Sequence, residues 1–487
     1  MHKLSGVLGL VAIAACVWGA PIGARETRIV SEPLQGAAVQ KPPQNPQTPQ
    51  QQNDITATLG SGTQIRLAIP AFSGAGADGE LLAAAKTVAD VLWDDIDFES
   101  EFQLVSKDAA ARVPFAPSAE AQPYDRWQEL GADALVIGSV QRAASALTVD
   151  LKLVGVRGQA RGQVVRNFAQ SYKGCVFTNA RSCAHYISDD LHLKVLGTDG
   201  IAQTRIAFTS DRDAKPLVGR TTSAQGQSKE VYISDYDGAN QYRVTANQSM
   251  NLAPAWAPDG RTLAYTSWAP GYPDIFMFNI FQARTPFRPA AGDSNKQNML
   301  PEWSPDGSKL AFASDRDGGW DIFVVNRDGT GLHNVTNSRR ESIINSTPTW
   351  SPTGAQIAFT SNRGGSVQIY IINADGTGLD KLTSDAGSTD RPTWSPAPLN
   401  KIAYTAGPGP GHDIWLIDVT TRQTTVLTDG IGDNESPAFA PNGRHIAFRT
   451  SRWGKDQIAI VSTQGKIQKR VTEVGNNTYP NWSRIPH

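Results

Sequence analysis

The sequence has almost no net charge and only one long apolar run. Among its 487 residues, 45 Lys and Arg side chains nearly balance 46 Asp and Glu side chains, so the net charge is −1. This balance excludes the basic surface with which nucleic-acid-binding proteins neutralise phosphates. The single apolar run lies at the N-terminus, so we expect no transmembrane helix in the rest of the chain.

Sequence motifs of catalytic sites are also missing. The sequence contains no Gly-x-Ser-x-Gly nucleophile elbow, no His-Glu-x-x-His motif and no Gly-rich phosphate loop. The turns at residues 211–213 and 315–317 read Asp-Arg-Asp and faintly resemble calcium loops. The equivalent turn at residues 362–364 reads Asn-Arg-Gly, which favours an ordinary polar hairpin turn at all of these positions. The sequence therefore predicts no enzyme, no cofactor and no metal site.

Only three cysteines are present. Cys175 and Cys183 are eight positions apart and flank a predicted strand-to-helix corner. In an exported protein, the oxidising compartment favours a disulfide between them. Two free thiols are the alternative, and a metal site with His185 would lack enough ligands at suitable spacing. We predict a Cys175–Cys183 disulfide.

The N-terminus has the pattern of an export signal. His2 and Lys3 precede an apolar run over residues 4–18, which is too short to cross a bilayer comfortably. Residues 1–24 are therefore predicted to be a signal peptide that directs export of the protein.

The end of this signal has two interpretations. Residues 13–16 read Ile-Ala-Ala-Cys and resemble a lipobox, in which Cys16 would be acylated and would tether the protein to the outer membrane. Ordinary cleavage near Gly19 or Ala24 is the alternative. Residues 25–54 form a Pro/Gln-rich linker that suits a tethered protein, although unanchored proteins also have such leaders.

Residues 55–197 predict a separate, smaller α/β domain. The segment from residue 79 carries Leu81, Leu82, Ala85, Val88 and Leu92 at helical spacing. A second long helix is expected from residue 179, with Gly197 just past its end. Predicted strands begin at residues 66, 133, 147 and 164.

A short strand of the type Ile/Leu-Ala-Phe/Tyr recurs six times in the remaining sequence. The strands begin at Ile206, Leu263, Leu310, Ile357, Ile402 and Ile446, so the spacings are 57, 47, 47, 45 and 44 residues. A Pro-x-aromatic segment precedes five of them, at Pro254, Pro301, Pro348, Pro392 and Pro437. Such a period, with about four short strands in each unit, is typical of a β-propeller blade. The fold is therefore predicted to be mainly β, with a six-bladed β-propeller over residues 198–487 after the α/β domain.

The two ends of this region predict how the ring closes. The first unit starts at Arg205 without a Pro-x-aromatic strand before it, whereas residues 479–483 read Tyr-Pro-Asn-Trp-Ser and have no strand after them. We expect this terminal strand to complete the first blade, which would remove free sheet edges.

The residues before each Pro-x-aromatic segment are expected at one mouth of the channel, because all first strands run in the same direction. We predict a partner-binding surface there. It consists of Asn251, Asn298, Met299, Asn345, Thr347, Asp390, Arg391, Glu435, Ser436 and Tyr479.

The repeat unit, together with the sequence Ser-Asp-Tyr-Asp-Gly-Ala-Asn-Gln at residues 234–241, resembles the TolB family of Tol-Pal propeller proteins. The resemblance covers residues 55–487. It implies a monomeric periplasmic adaptor that binds the peptidoglycan-associated lipoprotein Pal through the propeller. It also implies contact between the N-terminal region and inner-membrane Tol proteins such as TolA, and a role in outer-membrane integrity and cell division.

The sequence departs from this family at sites of partner contact. In this sequence, residues 54–59 are the most similar to the family's N-terminal TolA-binding segment, but they lie inside a longer chain. The family's Thr-Glu pair before one proline reads Ser346-Thr347, and its His-Asn pair before another is replaced within residues 297–300. A TolB-like paralogue that binds another envelope ligand, a glycan or a peptide, is therefore the alternative. Related propellers also precede peptidase domains, but we expect no such domain in a chain that ends at His487.

Overall fold

The computed structural model describes residues 64–484, apart from residues 75–77, 145, 216–226, 283–285, 291–295, 339, 385–386 and 408–410. The chain forms two compact units that divide between Gln203 and Thr204. The predicted signal peptide, Cys16 and the linker at residues 25–54 lie outside the described residues. None of the described helices has the length and apolar composition needed to cross a membrane.

The N-terminal unit is an α/β domain with one six-stranded sheet. The strands are β1 (Arg66–Ala68), β2 (Ser73–Gly74), β3 (Gln103–Leu104), β4 (Ala134–Ala143), β5 (Ala146–Gly155) and β6 (Val164–Cys175). Five of them follow the order β3-β1-β4-β5-β6, and β2 pairs with β4. The β4–β5 and β5–β6 pairs are antiparallel, whereas β1 pairs in parallel with β3 and β4, and β2 pairs in parallel with β4. The helices are α1 (Gly79–Glu99), α2 (Lys107–Ala110), α3 (Tyr124–Glu129) and α4 (Ala180–Leu196).

Helix α1 forms where the apolar spacing predicts it. Asp78 caps its N-terminus by accepting hydrogen bonds from the backbone of Glu80 and Leu81. Its buried residues join those of α4 in the main core against the sheet. Leu82 does not belong to this buried stripe and is 48% exposed. It directly follows Leu81 in the helix and therefore lies on a different side of it.

Cys175 and Cys183 form a disulfide between the end of β6 and the first turn of α4. The Cα atoms of Cys175 and Cys183 are 5.7 Å apart, and both residues are buried in the main core. The bond therefore fixes the corner that leads from the sheet into α4.

The second unit is a six-bladed β-propeller, with one antiparallel sheet for each blade. Blade 1 contains β29 (Asn477–Trp482), β7 (Arg205–Ser210), β8 (Glu230–Asp235) and β9 (Tyr242–Arg243). Blade 2 contains β10 (Asn251–Trp256), β11 (Thr262–Ser267) and β12 (Asp274–Asn279). Blade 3 contains β13 (Asn298–Trp303), β14 (Lys309–Ser314), β15 (Asp321–Asn326) and β16 (His333–Asn334).

The remaining three blades repeat the four-stranded order. Blade 4 contains β17 (Asn345–Trp350), β18 (Gln356–Gly364), β19 (Ser366–Asn373) and β20 (Asp380–Lys381). Blade 5 contains β21 (Ser388–Trp394), β22 (Lys401–Gly407), β23 (Asp413–Asp418) and β24 (Thr424–Val426). Blade 6 contains β25 (Asn434–Phe439), β26 (His445–Thr450), β27 (Gln457–Ser462) and β28 (Ile467–Arg470).

The propeller core lies between neighbouring blades. The cluster between blades 2 and 3 combines Ala255 and Ile275 with Trp303 and Phe312, all at most 5% exposed. The indole of Trp303 also donates a hydrogen bond to the carbonyl of Ala255 across this interface, at 3.2 Å. Large aromatic side chains from the first strands therefore fill the space between blades, as the repeated tryptophan predicts.

The C-terminal strand β29 pairs with β7 and completes blade 1. Asn477 pairs with Ser210, and Trp482 pairs with Ile206. The backbone N–H of Ser483 donates to the carbonyl of Arg205 at 2.8 Å, and the Trp482 indole donates to the Thr204 hydroxyl at 2.7 Å. The first and last strands of the propeller therefore share one sheet, which removes two free edges.

A buried polar network also joins blade to blade. In blade 3, the carboxylate of Asp321 accepts a hydrogen bond from the Thr336 hydroxyl at 2.6 Å. The same carboxylate accepts from the side-chain amide of Asn345 in blade 4 at 2.9 Å, and Arg363 donates to the Asn345 oxygen at 2.9 Å. The same arrangement recurs between other blades, where an Asn and a Thr side chain both donate to one Glu or Gln side chain. Repetition of these residues fixes the spacing of the blades around the channel.

Candidate functional site

One mouth of the channel is lined by six residues at equivalent positions in the six inner strands. Each stands directly before the proline of a Pro-x-aromatic segment, and each has a φ between 48° and 58°. These residues are hereafter called the mouth ring. They are Ala253, Leu300, Thr347, Arg391, Ser436 and Tyr479.

A β-bulge in each inner strand positions the mouth ring. Leu252 pairs with Thr266, whereas Ala255 pairs with Ala264, so the inner strand of blade 2 contains one extra residue. The other five blades show the same shift in register. Proline fits at such a bulge because its nitrogen has no hydrogen to donate to the ladder. The left-handed backbone of these non-glycine residues is strained, and such strain persists only where surrounding structure holds it in place.

Arg391 is the charged member of the mouth ring. Its Nη1 donates to the Ser436 hydroxyl at 2.7 Å, and its Nη2 donates to the Tyr479 hydroxyl at 3.2 Å. The guanidinium lies 4.4 Å from the centroid of the Tyr479 ring. It therefore crosses the mouth from blade 5 to blades 6 and 1.

The surroundings of Arg391 keep it charged. Burial lowers the pKa of Arg391, but Tyr479, Asp390 and Glu435 raise it by a larger amount, so the pKa lies above its ordinary value. Because the side chain is still 24% exposed, the guanidinium remains accessible at the mouth.

The mouth combines one cation with hydroxyl and apolar groups. The cavity encloses about 610 Å³, including its open end, and its lining includes the hydroxyls of Thr347, Ser436 and Tyr479 beside the apolar side chain of Leu300. An accessible Arg with an aromatic neighbour is typical of residues that dominate protein–protein binding. The arrangement can therefore hold a protein segment that presents a carboxylate or carbonyl oxygen to Arg391.

The structure brings together only part of the predicted partner-binding surface. Thr347, Arg391, Ser436 and Tyr479 belong to the mouth ring. Asp390 lies beside it and accepts hydrogen bonds from the hydroxyls of Thr360 and Thr347. Ala253 and Leu300, which were not among the predicted site residues, complete the ring; the sequence signal that identifies them is their position directly before a proline.

Four predicted residues lie inside the propeller wall instead. Asn251, Asn298, Asn345 and Met299 are at most 5% exposed, so the expectation that they are accessible at the mouth is wrong. The three asparagines begin their strands and donate to acidic side chains of the preceding blade. Met299 lies in the β-ladder opposite Ala313, before the bulge that turns Leu300 to the channel.

Glu435 belongs to an ion-pair network next to the mouth ring. Its carboxylate lies 3.2 Å from Arg449 and 3.5 Å from the Nδ1 of His412. Asp433 contacts the same two residues, each at 2.8 Å. Asp456 pairs with the other end of the Arg449 guanidinium at 2.7 Å. The network connects blades 5 and 6 at the face that carries the mouth.

This network also contains the one candidate set of metal ligands among the described residues. His412, Asp433 and Glu435 each offer one ligand atom, and these three atoms lie within 4.8 Å of one another. Arg449 already pairs with both carboxylates, and His412 lies within ion-pair distance of both. We therefore interpret the cluster as an ion-pair network.

Deeper in the channel, the carboxyl group of Glu302 lines both the mouth cavity and the cavity beyond it. Burial raises the pKa of Glu302 to about 8, and the positive charge of Arg484 opposes this shift. The second cavity is lined by the aromatic residues that end the inner strands, including Trp303 and Trp482. Beyond the mouth, the channel therefore holds a carboxyl group that is largely protonated at neutral pH, together with the side chain of Arg484.

Replacement of His412 by Gln is expected to lower stability more at pH 6 than at pH 9. The hydrogen bond to Asp433 is the main cause of the raised pKa of His412. A histidine with a raised pKa contributes stability below its unfolded pKa of about 6.5, and this contribution is lost as pH rises through the folded pKa. We expect a difference on the order of 1 kcal/mol at pH 6, measured by urea unfolding at both pH values. His333→Gln, at an exposed position in blade 3, is the control; an equal loss for His412→Gln at both pH values would contradict the assignment.

Both units match models of one protein family. Residues 193–486 match the TolB beta propeller domain, and residues 53–161 match the TolB amino-terminal domain. The chain belongs to the TolB family. The propeller match alone covers more than half of the chain.

Individual relatives agree with this membership. The chain is 31% identical over 223 residues to the Tol-Pal system protein TolB of Desulfosudis oleivorans, which is 45% of this chain and 47% of the relative. It is 31% identical over 193 residues to the protein of the same name from Actinobacillus succinogenes, or 40% of this chain and 42% of the relative. The matched segments thus span less than half of these TolB sequences.

A solved TolB structure shows the same fold. The crystal structure of TolB from Acinetobacter baumannii aligns over 94% of this chain and 99% of its own, with a TM-score of 0.69 and 22% sequence identity. The predicted fold, a six-bladed β-propeller with a smaller α/β domain, is therefore confirmed.

Proposed function

We propose that this protein is a periplasmic adaptor of the Tol-Pal system that binds the peptidoglycan-associated lipoprotein Pal at the mouth ring. It acts by binding, without catalytic turnover, and so helps to maintain outer-membrane integrity and constriction of the envelope during division. Contact with inner-membrane Tol proteins such as TolA is a further part of this proposal. The segment that would make that contact, residues 54–59, lies outside the described residues.

Family membership supports the system, since the relatives are named Tol-Pal system protein TolB. The position of Arg391 supports the site. Its guanidinium is held between Ser436 and Tyr479 at the open end of a rigid channel, so little side-chain freedom is lost when a partner binds. The adjacent hydroxyls offer further hydrogen bonds to a protein backbone.

Charge reversal at the mouth is expected to weaken capture of Pal. Arg391→Glu would place a carboxylate beside Asp390 and Glu435, and would repel a partner carboxylate in place of binding it. We expect the dissociation constant to rise at least tenfold, which corresponds to about 1.4 kcal/mol. Surface plasmon resonance with purified Pal from the same genome measures this change, after circular dichroism has shown that the variant is folded.

Arg422→Glu is the matched control. Arg422 lies between β23 and β24, at the end of blade 5 opposite the mouth, and its reversal should leave Pal binding unchanged. Equal binding by the Arg391 variant and the wild-type protein would remove the mouth ring as the Pal site. If the wild-type protein does not bind Pal at all, the alternative applies, in which a TolB-like paralogue binds a glycan or peptide of the envelope. The substitution of the family's Thr-Glu pair by Ser346-Thr347 favours that alternative.

A further inference from the structure

Two buried carboxylates hold the backbone of residues 201–203, the segment that directly precedes the propeller unit. Asp189, on α4, accepts from the N–H of Ala202 at 2.8 Å through Oδ1. Its Oδ2 accepts from both the backbone N–H and the side-chain amide of Gln203, at 3.0 and 2.9 Å. Glu99, the last residue of α1, accepts from the N–H of Ile201 at 3.1 Å. Two different helices thus fix three consecutive backbone N–H groups.

The segment is also closely packed against α4. Ile201 is fully buried and Ala202 is 1% exposed. A Cβ at Gly200 would overlap the Oδ1 of Asp189 and would lie 2.9 Å from the Asp189 Cα. Glycine is therefore required at position 200 for the chain to approach the carboxylate closely.

The charges around Asp189 make this contact dependent on protons. Burial is the main cause that raises the pKa of Asp189 to about 7, and the negative charge of Glu99 raises it further. The hydrogen bonds from Ala202 and Gln203 favour the ionised form and oppose this shift. Asp189 is consequently poised to gain or lose a proton near neutral pH, where most Asp side chains are fully ionised.

Other titratable groups lie near this pair on both helices. On α4, the Nδ1 of His192 lies 3.8 Å from Glu99, and Asp190 pairs with Lys194 and accepts from Tyr172. On α1, Asp95 lies 2.8 Å from His185. After α1, Glu101 accepts from the hydroxyl of Thr198, and Asp199 lies in the connecting segment itself.

We propose that Asp189, together with Glu99, forms a proton-operated clamp on residues 201–203. When Asp189 is ionised, both of its oxygens accept hydrogen bonds and the clamp is closed. A proton on either oxygen removes one acceptor and loosens Ala202 or Gln203. The device controls how firmly residues 201–203, the last residues of the N-terminal unit, are bound to α1 and α4, and it does not depend on the identity of the partner.

The clamp predicts opposite local and global effects of pH. As pH rises from about 5.5 to 8.5, Asp189 ionises and local hydrogen exchange in residues 201–203 should slow by about tenfold, after correction for intrinsic rates. A carboxyl with a raised folded pKa contributes stability below its unfolded pKa, and that contribution is lost as pH rises toward 7. Global stability from Asp189 therefore falls over the range in which the clamp closes.

Hydrogen-exchange mass spectrometry of the full-length protein tests this inference. A peptide covering residues 198–204 should show a protection midpoint near pH 7 in the wild-type protein. Glu99→Gln removes the neighbouring negative charge and should move the midpoint toward acid by about one pH unit. Asp189→Asn should give low protection at every pH in this range.

Asp190→Asn is the control, because Asp190 is adjacent on α4 but contacts Tyr172 and Lys194 instead of residues 201–203. The pH midpoint of protection in this variant should match that of the wild-type protein. Protection that is constant from pH 5.5 to 8.5 in the wild-type protein would overturn the clamp. An unchanged midpoint in Glu99→Gln would do the same, even if Asp189→Asn fails to fold.

Discussion

Deletion of residues 477–487 is expected to abolish cooperative unfolding of the propeller near the wild-type temperature. The deletion removes β29, the inner strand of blade 1, and with it the ladder to β7. It also exposes an unpaired edge of β7, which favours aggregation. Differential scanning calorimetry and limited proteolysis should show a lost or strongly lowered transition and rapid cleavage.

The physical reason is that β29 is bonded to both of its neighbours. The side chain of Asn481 accepts from the backbone N–H of Trp256 in blade 2 at 2.8 Å, and the Asn477 N–H donates to Asp456 in blade 6 at 2.8 Å. Without β29, blades 2 and 6 each lose a packed surface as well as these bonds. Deletion of residues 485–487 alone is the matched control and should leave the transition unchanged. A cooperative transition at the wild-type temperature in the longer deletion would show that the ring does not need this strand.

Replacement of Asp321 by Ala is expected to lower the free energy of unfolding by about 3 kcal/mol, because several buried donors lose their acceptor. The carboxylate accepts from the Thr336 hydroxyl, the Asn345 amide and the backbone N–H of Ser338. Burial raises the pKa of Asp321, but hydrogen bonds from Thr336, Asn334 and Ser338 lower it by more, so the pKa lies below its ordinary value. The stabilisation is therefore present above the unfolded pKa of about 3.9 and is lost as pH falls through the folded value.

Equilibrium urea unfolding at pH 7 measures the effect of Asp321→Ala. Asp328→Ala is the control in the same blade, because Asp328 accepts only from the backbone and hydroxyl of Thr330 in an exposed turn, and it should change stability little. If both variants lose the same stability, the polar network between blades 3 and 4 is not specifically stabilising.

The repeated strands made most of the fold predictable. Each Ile/Leu-Ala-Phe/Tyr strand alternates residues between two faces, and its spacing to the next strand defines a blade. The positions of α1 and α4 were predictable for a similar reason, since helical periodicity and the glycine at position 197 mark them locally. The exposure of Leu82 shows the limit of such patterns, because an apolar residue at the margin of a helical stripe can face either solvent or core.

The candidate site was predictable only in part. The position of each Pro-x-aromatic segment predicted that the first strands begin at one mouth of the channel. It did not predict that Met299 is buried whereas Leu300 lines the channel. A one-residue bulge reverses which side chain faces the channel. The asparagines before the bulge were expected at the mouth because of their position in the chain, yet they are buried where a neighbouring blade supplies an acceptor.

The sequence by itself determined the number of blades, the strand that closes the ring and the order of the two domains. These features depend on local periodicity and on repetition, which can be read along the chain. Only the tertiary structure decided that Arg391 meets Ser436 and Tyr479, 45 and 88 residues further along, and that Asp189 and Glu99 hold the same segment. Such contacts join residues that are distant in sequence, and closure of the ring and packing of α1 against α4 bring them together.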